Sequence, residues 1–312
     1  MIAQILQENL LKALTQTGRI VPQRPQLPIL QNILITTEEG RLKIVASNLE
    51  TTENLSVGAK IEKEGDLCVP SRLLTELVAS LPQETVFLSA KESSLIVKCQ
   101  GTTATIPGVS AKEFPSVPKA KEKTVSTVLK TEFCEKINKV AFAAATDEGR
   151  PLLTGIRIKK EEGSVVFAAT DGYRLSVAKA NMTLGFDADL VVPGRALLEV
   201  VKISSEDKSG KEITIAQTED GQLVFGMGDI EIHTRLIDGE YPNFEKIIPK
   251  SFATRALIDR EKLLRAVKSA AVFARDNANI IRFHLENQTL VVSANTPQVG
   301  ENTIEVEAKI DG

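Results

Sequence analysis

Apolar positions along this chain switch between two periods, and the switches recur at a fixed distance. Leu6, Leu10, Ala13 and Leu14 share a face at helical spacing, which predicts a helix over 5–15. Apolar–polar alternation then predicts strands over 29–37 and 42–46. Pro70 and Ser71 open a second helix, proline being preorganised for a first helical turn, with the stripe Leu73, Leu74, Leu77, Val78 and Leu81. Alternating strands over 85–89 and 95–106 follow, around the turn Lys91-Glu92-Ser93-Ser94. The plan then repeats, with helices over 131–144 and 194–203 and strands over 155–158, 164–169, 212–216 and 222–236.

The repeat is also written in residue identities. Asp66-Leu67-Cys68-Val69-Pro70, followed by Arg72, Glu76 and Val78, returns 123 residues later as Asp189-Leu190-Val191-Val192-Pro193, followed by Arg195, Glu199 and Val201. At the same offset Ala46-Ser47-Asn48 returns as Ala169-Thr170-Asp171, and Leu10 as Phe133. A third copy starts at Leu263-Leu264-Arg265-Ala266-Val267, reaches Val292-Ser293-Ala294-Asn295, and breaks off at Gly312. Repetition at this scale means tandem copies of one domain. Glu113-Phe114-Pro115 and Glu240-Tyr241-Pro242 close the first two copies, before Pro118-Lys119-Ala120-Lys121 and Pro249-Lys250. The expected domains are therefore 1–120, 121–250 and an incomplete 251–312. Two helices with a larger, hairpin-connected sheet make each copy an α+β unit with its helices on one face. Tandem units with open sheet edges invite edge-to-edge joining, and a ring is the closed form of that joining.

Composition adds mostly exclusions. Hydrophobic residues make up 42% and charged residues 25%, as in ordinary globular domains. No apolar run approaches the roughly 18 residues of a membrane span, and the N-terminus lacks a secretory layout, so a cytoplasmic protein with no membrane partner is expected. Cys68, Cys99 and Cys134 are scattered, and Cys68 and Cys134 lie on apolar sides of their elements, which makes them small buried hydrophobes. His233 and His284 are the only histidines and neither has a partner at metal spacing; His233 sits in an alternating run as a strand residue. With no phosphate loop and no nucleophile elbow, neither cofactor nor catalysis is expected.

Charge sharpens this picture locally. The formal net charge is −3, yet the helices carry basic outer faces. Over 259–275, Leu263, Val267, Ala270, Ala271 and Ala274 form an apolar stripe, with Lys262, Arg265 and Lys268 opposite. In the helix from 131, Phe133, Ile137, Val140 and Ala141 face inward, with Lys136 and Lys139 outward beside Glu132 and Glu135. Lys12 and Lys202 lie on the polar faces of their helices. Any one such face reads as a solvated surface, but repeated in equivalent positions these faces would converge on a local positive surface.

Four stretches, Arg24-Pro25-Gln26-Leu27-Pro28-Ile29-Leu30, Ser47-Asn48-Leu49-Glu50, Ala168-Ala169-Thr170-Asp171-Gly172-Tyr173-Arg174-Leu175 and Asp238-Gly239-Glu240-Tyr241-Pro242-Asn243-Phe244, resemble the bacterial sliding clamps, the beta subunits of DNA polymerase III. The resemblance implies the DNA-clamp fold in tandem, with helices lining a central hole and antiparallel sheets outside. It implies a homodimeric ring around duplex DNA that tethers the catalytic subunit of the replicative polymerase after a clamp loader has closed it. A closed ring cannot leave DNA without opening, so its phosphate contacts can stay weak and sequence-independent. The family's third domain continues with a second helix and further strands that do not follow Gly312 in this chain.

Residue by residue, the resemblance places DNA contacts on Arg24, Arg72 and Arg150. A neighbouring polar contact of the family falls on Asp147, which would repel phosphate and is not carried over. The partner-peptide pocket falls on Leu153, Thr170, Gly172, Tyr173, Arg174, Leu175, Pro242, Lys246 and Ile247. The subunit seam falls on Val272 and Phe273, off the apolar stripe of their helix, against an edge strand near Thr103 and Ile106. Two rival readings stand beside this one. A truncated, degenerate paralogue would bind partner peptides without encircling DNA. A metal-dependent hydrolase would use Asp147, Glu148 and Asp171, although Asn48 and Asn295 at the position of Asp171 suit a turn cap better than a metal ligand.

Overall fold

The computed structural model describes residues 1–116, 125–147, 149–218, 220–275, 278–298 and 300–312. They form two compact units, Met1–Pro242 and Asn243–Gly312. The expected linker at 118–121 and Glu148 lie outside the described residues.

In the first unit, the helices are α1 (Gln7–Thr17), α2 (Ser71–Ser80), α3 (Lys130–Ala141) and α4 (Gly194–Glu206). Short strands, Ile2–Leu6 and Val125–Leu129, run into α1 and α3. Ala3 and Ile5 are buried, while Ile2 and Leu6 are 37% and 47% exposed. Leu6 therefore ends a period-two strand and does not belong to the helix stripe, whose buried members are Leu10, Ala13 and Leu14. A two-residue period merging into a 3.6-residue period hides the boundary. Leu73 is likewise 48% exposed, so α2 buries Leu74 and Val78 instead.

Turns without a strong dipeptide signal also divide two expected strands. The run over 95–106 is Ser94–Cys99 and Thr102–Pro107, reversed at Gln100 and Gly101 with φ of 26° and 80°. The run over 222–236 is Gln222–Met227 and Ile230–Arg235, reversed at Gly228 with φ 58°. The strand expected from 29 starts at Asn32, because Pro28–Gln31 forms a 3-10 turn. Thr51–Val57 and Leu175–Ala180 are additional strands, too polar or too irregular in pattern to be read.

The repeat is visible as topology. Thr51–Val57, Arg41–Ser47, Asn32–Glu38 and Asp66–Pro70 lie side by side in that order, matching Leu175–Ala180, Ser164–Thr170, Gly155–Glu161 and Asp189–Pro193. Every named pairing is antiparallel. The two modules join edge to edge: Ile230–Arg235 of the second pairs with Thr51–Val57 of the first, in register from Ile230 opposite Leu55 to Thr234 opposite Thr51. The join makes one sheet of eight described strands, the edge-joining expected from the repeats. On the helix side Arg19, just past α1, donates to Glu199 of α4 at 2.6 Å and to both oxygens of Glu206 at 3.0 Å. Arg41 and Asp229 form a second cross-module pair. One apolar core runs through both modules, with Leu10 and its repeat mate Phe133 both buried. Phe133 meets Phe167 edge-on at 5.8 Å.

The second unit packs α5 (Arg260–Ala274) on a sheet of Arg255–Ile258, Gly300–Asp311, Thr289–Thr296 and Arg282–Glu286. Asp259 caps α5, accepting from the Lys262 N–H at 2.8 Å. Its fully buried positions are Ala266, Ala270 and Ala274, with Leu263 and Val267 half-buried at the margin. Ala270 and Ala274 of the expected stripe are thus at its centre, Ala266 joins them, and Leu263, Val267 and Ala271 form its margin. Lys262, Arg265 and Lys268 are exposed, as expected.

Cys68 and Cys99 are buried and Cys134 half-buried, all as free thiols. Burial pushes the Cys68 thiol up to about 12, which makes it inert. His233 is a buried strand residue at the module join, with Nε2 3.2 Å from the Asn54 side-chain nitrogen.

Candidate functional site

The turn between Ser164–Thr170 and Leu175–Ala180 is built by hydrogen bonds from its own residues. Thr170 Oγ1 accepts from Gly172 N at 3.0 Å and donates to Arg174 O at 2.7 Å. Asp171 Oδ1 accepts from Tyr173 N at 2.9 Å and Arg174 N at 3.0 Å, and Oδ2 accepts from Arg174 Nε at 2.9 Å. The backbone N–H groups of Arg174 and Tyr173, with the Arg174 guanidinium, hold the Asp171 carboxyl below the usual carboxylate range. Thr170 is buried, and its N–H donates to Tyr241 Oη at 3.1 Å. Burial raises that phenol above its ordinary value. The turn is therefore anchored from beneath while Gly172, Tyr173 and Arg174 are exposed, Tyr173 by 92%.

Gly172 takes φ +92°, and a methyl group there would lie 3.0 Å from Arg150 Nη1. Glycine thus serves both the left-handed backbone and the close approach of Arg150. Leu153 and Leu175, half-buried, flank this turn in sequence and strand order. Pro242 is exposed at the end of the first unit; Lys246 and Ile247, both exposed, belong to the second. The structure thus groups Arg150 with the Thr170–Leu175 turn of the expected pocket.

Among the expected DNA contacts, Arg24 is exposed in an irregular segment after α1, and Arg72 is 92% exposed at the start of α2. Gln23 and Arg72 line one cleft of about 880 Å³ with Gln31 and Ser71. Arg72 Nε donates to Glu76 at 2.7 Å, one helical turn on. Hydrogen bonding to Glu76 raises the Arg72 pKa further. Arg150 is exposed and forms no ion pair with a described residue. Asp147 Oδ1 accepts from Gly149 N at 2.9 Å, and both oxygens of Asp171 are engaged by the turn and by Arg174, so turn-building accounts for the two described carboxylates of the hydrolase reading.

At the expected seam, Thr103 is exposed on Thr102–Pro107, a strand at the end of its sheet order. The Ile106 side chain is 2% exposed within the core, so only its main chain is available to an edge. Val272 is 52% exposed, whereas Phe273 is half-buried against the core of its own unit and so lies on the stripe's margin.

Profiles of the DNA polymerase III beta subunit match three consecutive stretches: the N-terminal domain at 1–118, the central domain at 127–243 and the C-terminal domain at 245–312. The beta sliding clamp of Synechococcus elongatus is 32% identical, over 98% of this chain and 84% of its own length. The chain belongs to the DNA polymerase III beta subunit family. The beta sliding clamp of Bacillus subtilis is 26% identical over 95% of this chain and 81% of its own. A solved Bacillus subtilis clamp superimposes with a TM-score of 0.92 at 25% identity, and a Thermotoga maritima beta subunit with 0.89 at 25%; each covers 100% of this chain and 85% of its own. The α+β clamp fold follows, and with it the role of a sliding clamp, a processivity factor without catalytic chemistry of its own. DNA and a polymerase are its partners in that role, as a ring. Among the described residues no helix is long and apolar enough to cross a membrane.

Two residues that shape the turn in this clamp, and one role of a third, were not legible in the sequence. Tyr241 was legible only as part of a closing motif; its module-one counterpart Phe114 packs on Val45 and Cys68 and has no hydroxyl to reach a backbone N–H. Asp171 was read as a turn cap, without its second oxygen's role. Phe142, at the end of α3, is 61% exposed, with the Arg174 guanidinium carbon 5.7 Å from its ring centre. A solvent-facing aromatic at the end of an amphipathic helix was the available signal.

Proposed function

We propose that this chain works as a cytoplasmic clamp of three tandem domains, 1–120, 121–250 and 251–312, two copies of which meet head to tail through the edge near Thr103 and Ile106 and the helix bearing Val272 and Phe273. A clamp loader places the ring, and Arg24, Arg72 and Arg150 give weak, sequence-independent phosphate contacts. Polymerase and loader peptides dock on Leu153, Thr170, Gly172, Tyr173, Arg174, Leu175, Pro242, Lys246 and Ile247. Apolar anchors of a short peptide suit Leu153, Leu175 and Ile247, while Arg174 and Lys246 suit its polar atoms.

The observation that carries this reading is the anchored turn that exposes Gly172, Tyr173 and Arg174 together. A monomeric enzyme gains nothing from a nearly bare tyrosine beside an arginine on a rigid turn, whereas a peptide-binding surface uses such residues as anchors. The test is a fluorescein-labelled clamp-binding peptide of a replicative polymerase, titrated against the wild type and Leu175→Asp. Binding to the wild type weakened at least tenfold in the variant supports the pocket; equal binding to both sinks it.

A further inference from the structure

The two modules of the first unit build the same turn, which makes module one an internal control for module two. In module one Asn48 Oδ1 accepts from Glu50 N at 3.0 Å and Thr51 N at 2.7 Å, and Ser47 Oγ accepts from Leu49 N at 3.2 Å. These are the bonds that Asp171 and Thr170 make 123 residues later. Even the left-handed residue recurs, Leu49 at φ 75° in the place of Gly172 at 92°. An amide therefore suffices to build this turn. The carboxylate of Asp171 adds one thing that Asn48 cannot supply, a charged second oxygen, and that oxygen takes Arg174 Nε at 2.9 Å.

The residues around that oxygen differ between modules in a concerted way. Thr51 stands where module two has Arg174, and Arg19 stands where it has Phe142. In module one the helix-end position is used to join modules, Arg19 gripping Glu199 and Glu206. In module two it carries an aromatic ring whose face lies against Arg174, 5.7 Å from guanidinium carbon to ring centre. Asp171 holds the arginine by its Nε edge and Phe142 holds it by its face, while the side chain stays 58% exposed. Ser176 Oγ donates to Lys139 O at 2.6 Å, tying the strand after the turn to the helix that carries Phe142, so both supports sit on one frame.

We propose that Asp171 and Phe142 are positioning residues of the partner pocket, fixing Arg174 so that its two Nη groups meet an oxygen of the bound peptide without first losing rotamer freedom. This rests on the pocket reading above. Lysine in place of Arg174 would lack both the Nε edge and the flat face that these supports use. Holding one such long side chain in advance is worth about three- to tenfold in affinity. Removing the Asp171 carboxylate would also make the surface around Arg174 more positive, so pre-positioning and simple charge attraction predict opposite signs.

The experiment is a double-mutant cycle on the full chain with the labelled polymerase peptide. Asp171→Asn keeps the turn bonds, as Asn48 does, and should weaken binding about three- to tenfold with unchanged thermal unfolding; Phe142→Leu should weaken it about two- to fivefold. In an Arg174→Gln background neither substitution should change affinity further, which a merely structural role would not produce. Wild-type binding with Asp171→Asn equal or tighter, or with additive losses in the Arg174→Gln background, overturns the positioning role and leaves the pocket standing. No binding by the wild type overturns the pocket and this inference together.

Discussion

Glu53 is the residue whose chemistry is most out of place. It lies at the module join, 0% exposed, with Oε1 accepting from Gln16 at 3.1 Å and Oε2 without a partner among the described residues. Burial is the main cause that pushes its carboxyl up to about 7, with Glu199 adding to it and Gln16 and Arg19 opposing. In an unfolded chain the group titrates near about 4.3. Its folded value is raised, so the unfolded chain releases the proton first: the cost to the fold grows as pH rises from about 4.3 to about 7 and is complete above that. The difference amounts to about 3–4 kcal/mol at full ionisation. Glu53→Gln should therefore leave urea stability near pH 4 unchanged and raise it by up to that amount at pH 8. A variant no more stable than wild type at pH 8 would contradict the buried, raised carboxyl.

At the scale of elements, the join between modules combines a strand pairing with an ion cluster on its helix side. Strand pairing supplies direction and register, but backbone hydrogen bonds alone are modest in net worth. Arg19 bridges Glu199 and Glu206, and its side chain is 19% exposed. Removing it takes from Glu199, itself 16% exposed, a counter-charge 2.6 Å away. Arg19→Ala should then destabilise the first unit by about 2–3 kcal/mol, and Glu199→Gln in addition should recover part of that. Chemical unfolding read at both modules measures this. Unchanged stability in Arg19→Ala would mean that the sheet join alone sets the module contact.

At the scale of the whole molecule, a net charge of −3 has to coexist with binding to a polyanion. Charge placement resolves this: Arg72 lines one cleft of module one, and Arg24 is exposed next to Gln23 of the same cleft. Arg72 is paired with Glu76, so the proposed phosphate contact there would have to compete with that pair and would stay weak. Replacing both arginines by Glu should lower affinity for primed DNA and reduce the salt slope by roughly two, about 0.9 for each phosphate no longer neutralised. A double variant with the wild-type salt dependence would remove both residues from the DNA surface.

Sequence by itself determined the repeat, the α+β character of each copy and the family, because those are carried by local periods and by identities 123 residues apart. The family resemblance pointed to Thr170, Gly172 and Arg174, which share one hydrogen-bonded turn. The short strand Ile2–Leu6 and the divided strands at Gln100 and Gly228 escaped sequence reading, because a change of period or one left-handed residue leaves little trace in a window of ten. Which apolar residues face the core was decided in space: Ile106 turned inward, Leu73 outward, and α5 seated on its alanines. Tertiary structure alone brought Tyr241 to Thr170, Phe142 to Arg174 and Arg19 to Glu199, pairs separated by 71, 32 and 180 positions. Contacts over such distances depend on how sheets and helices close on one another, which no local pattern of side chains encodes.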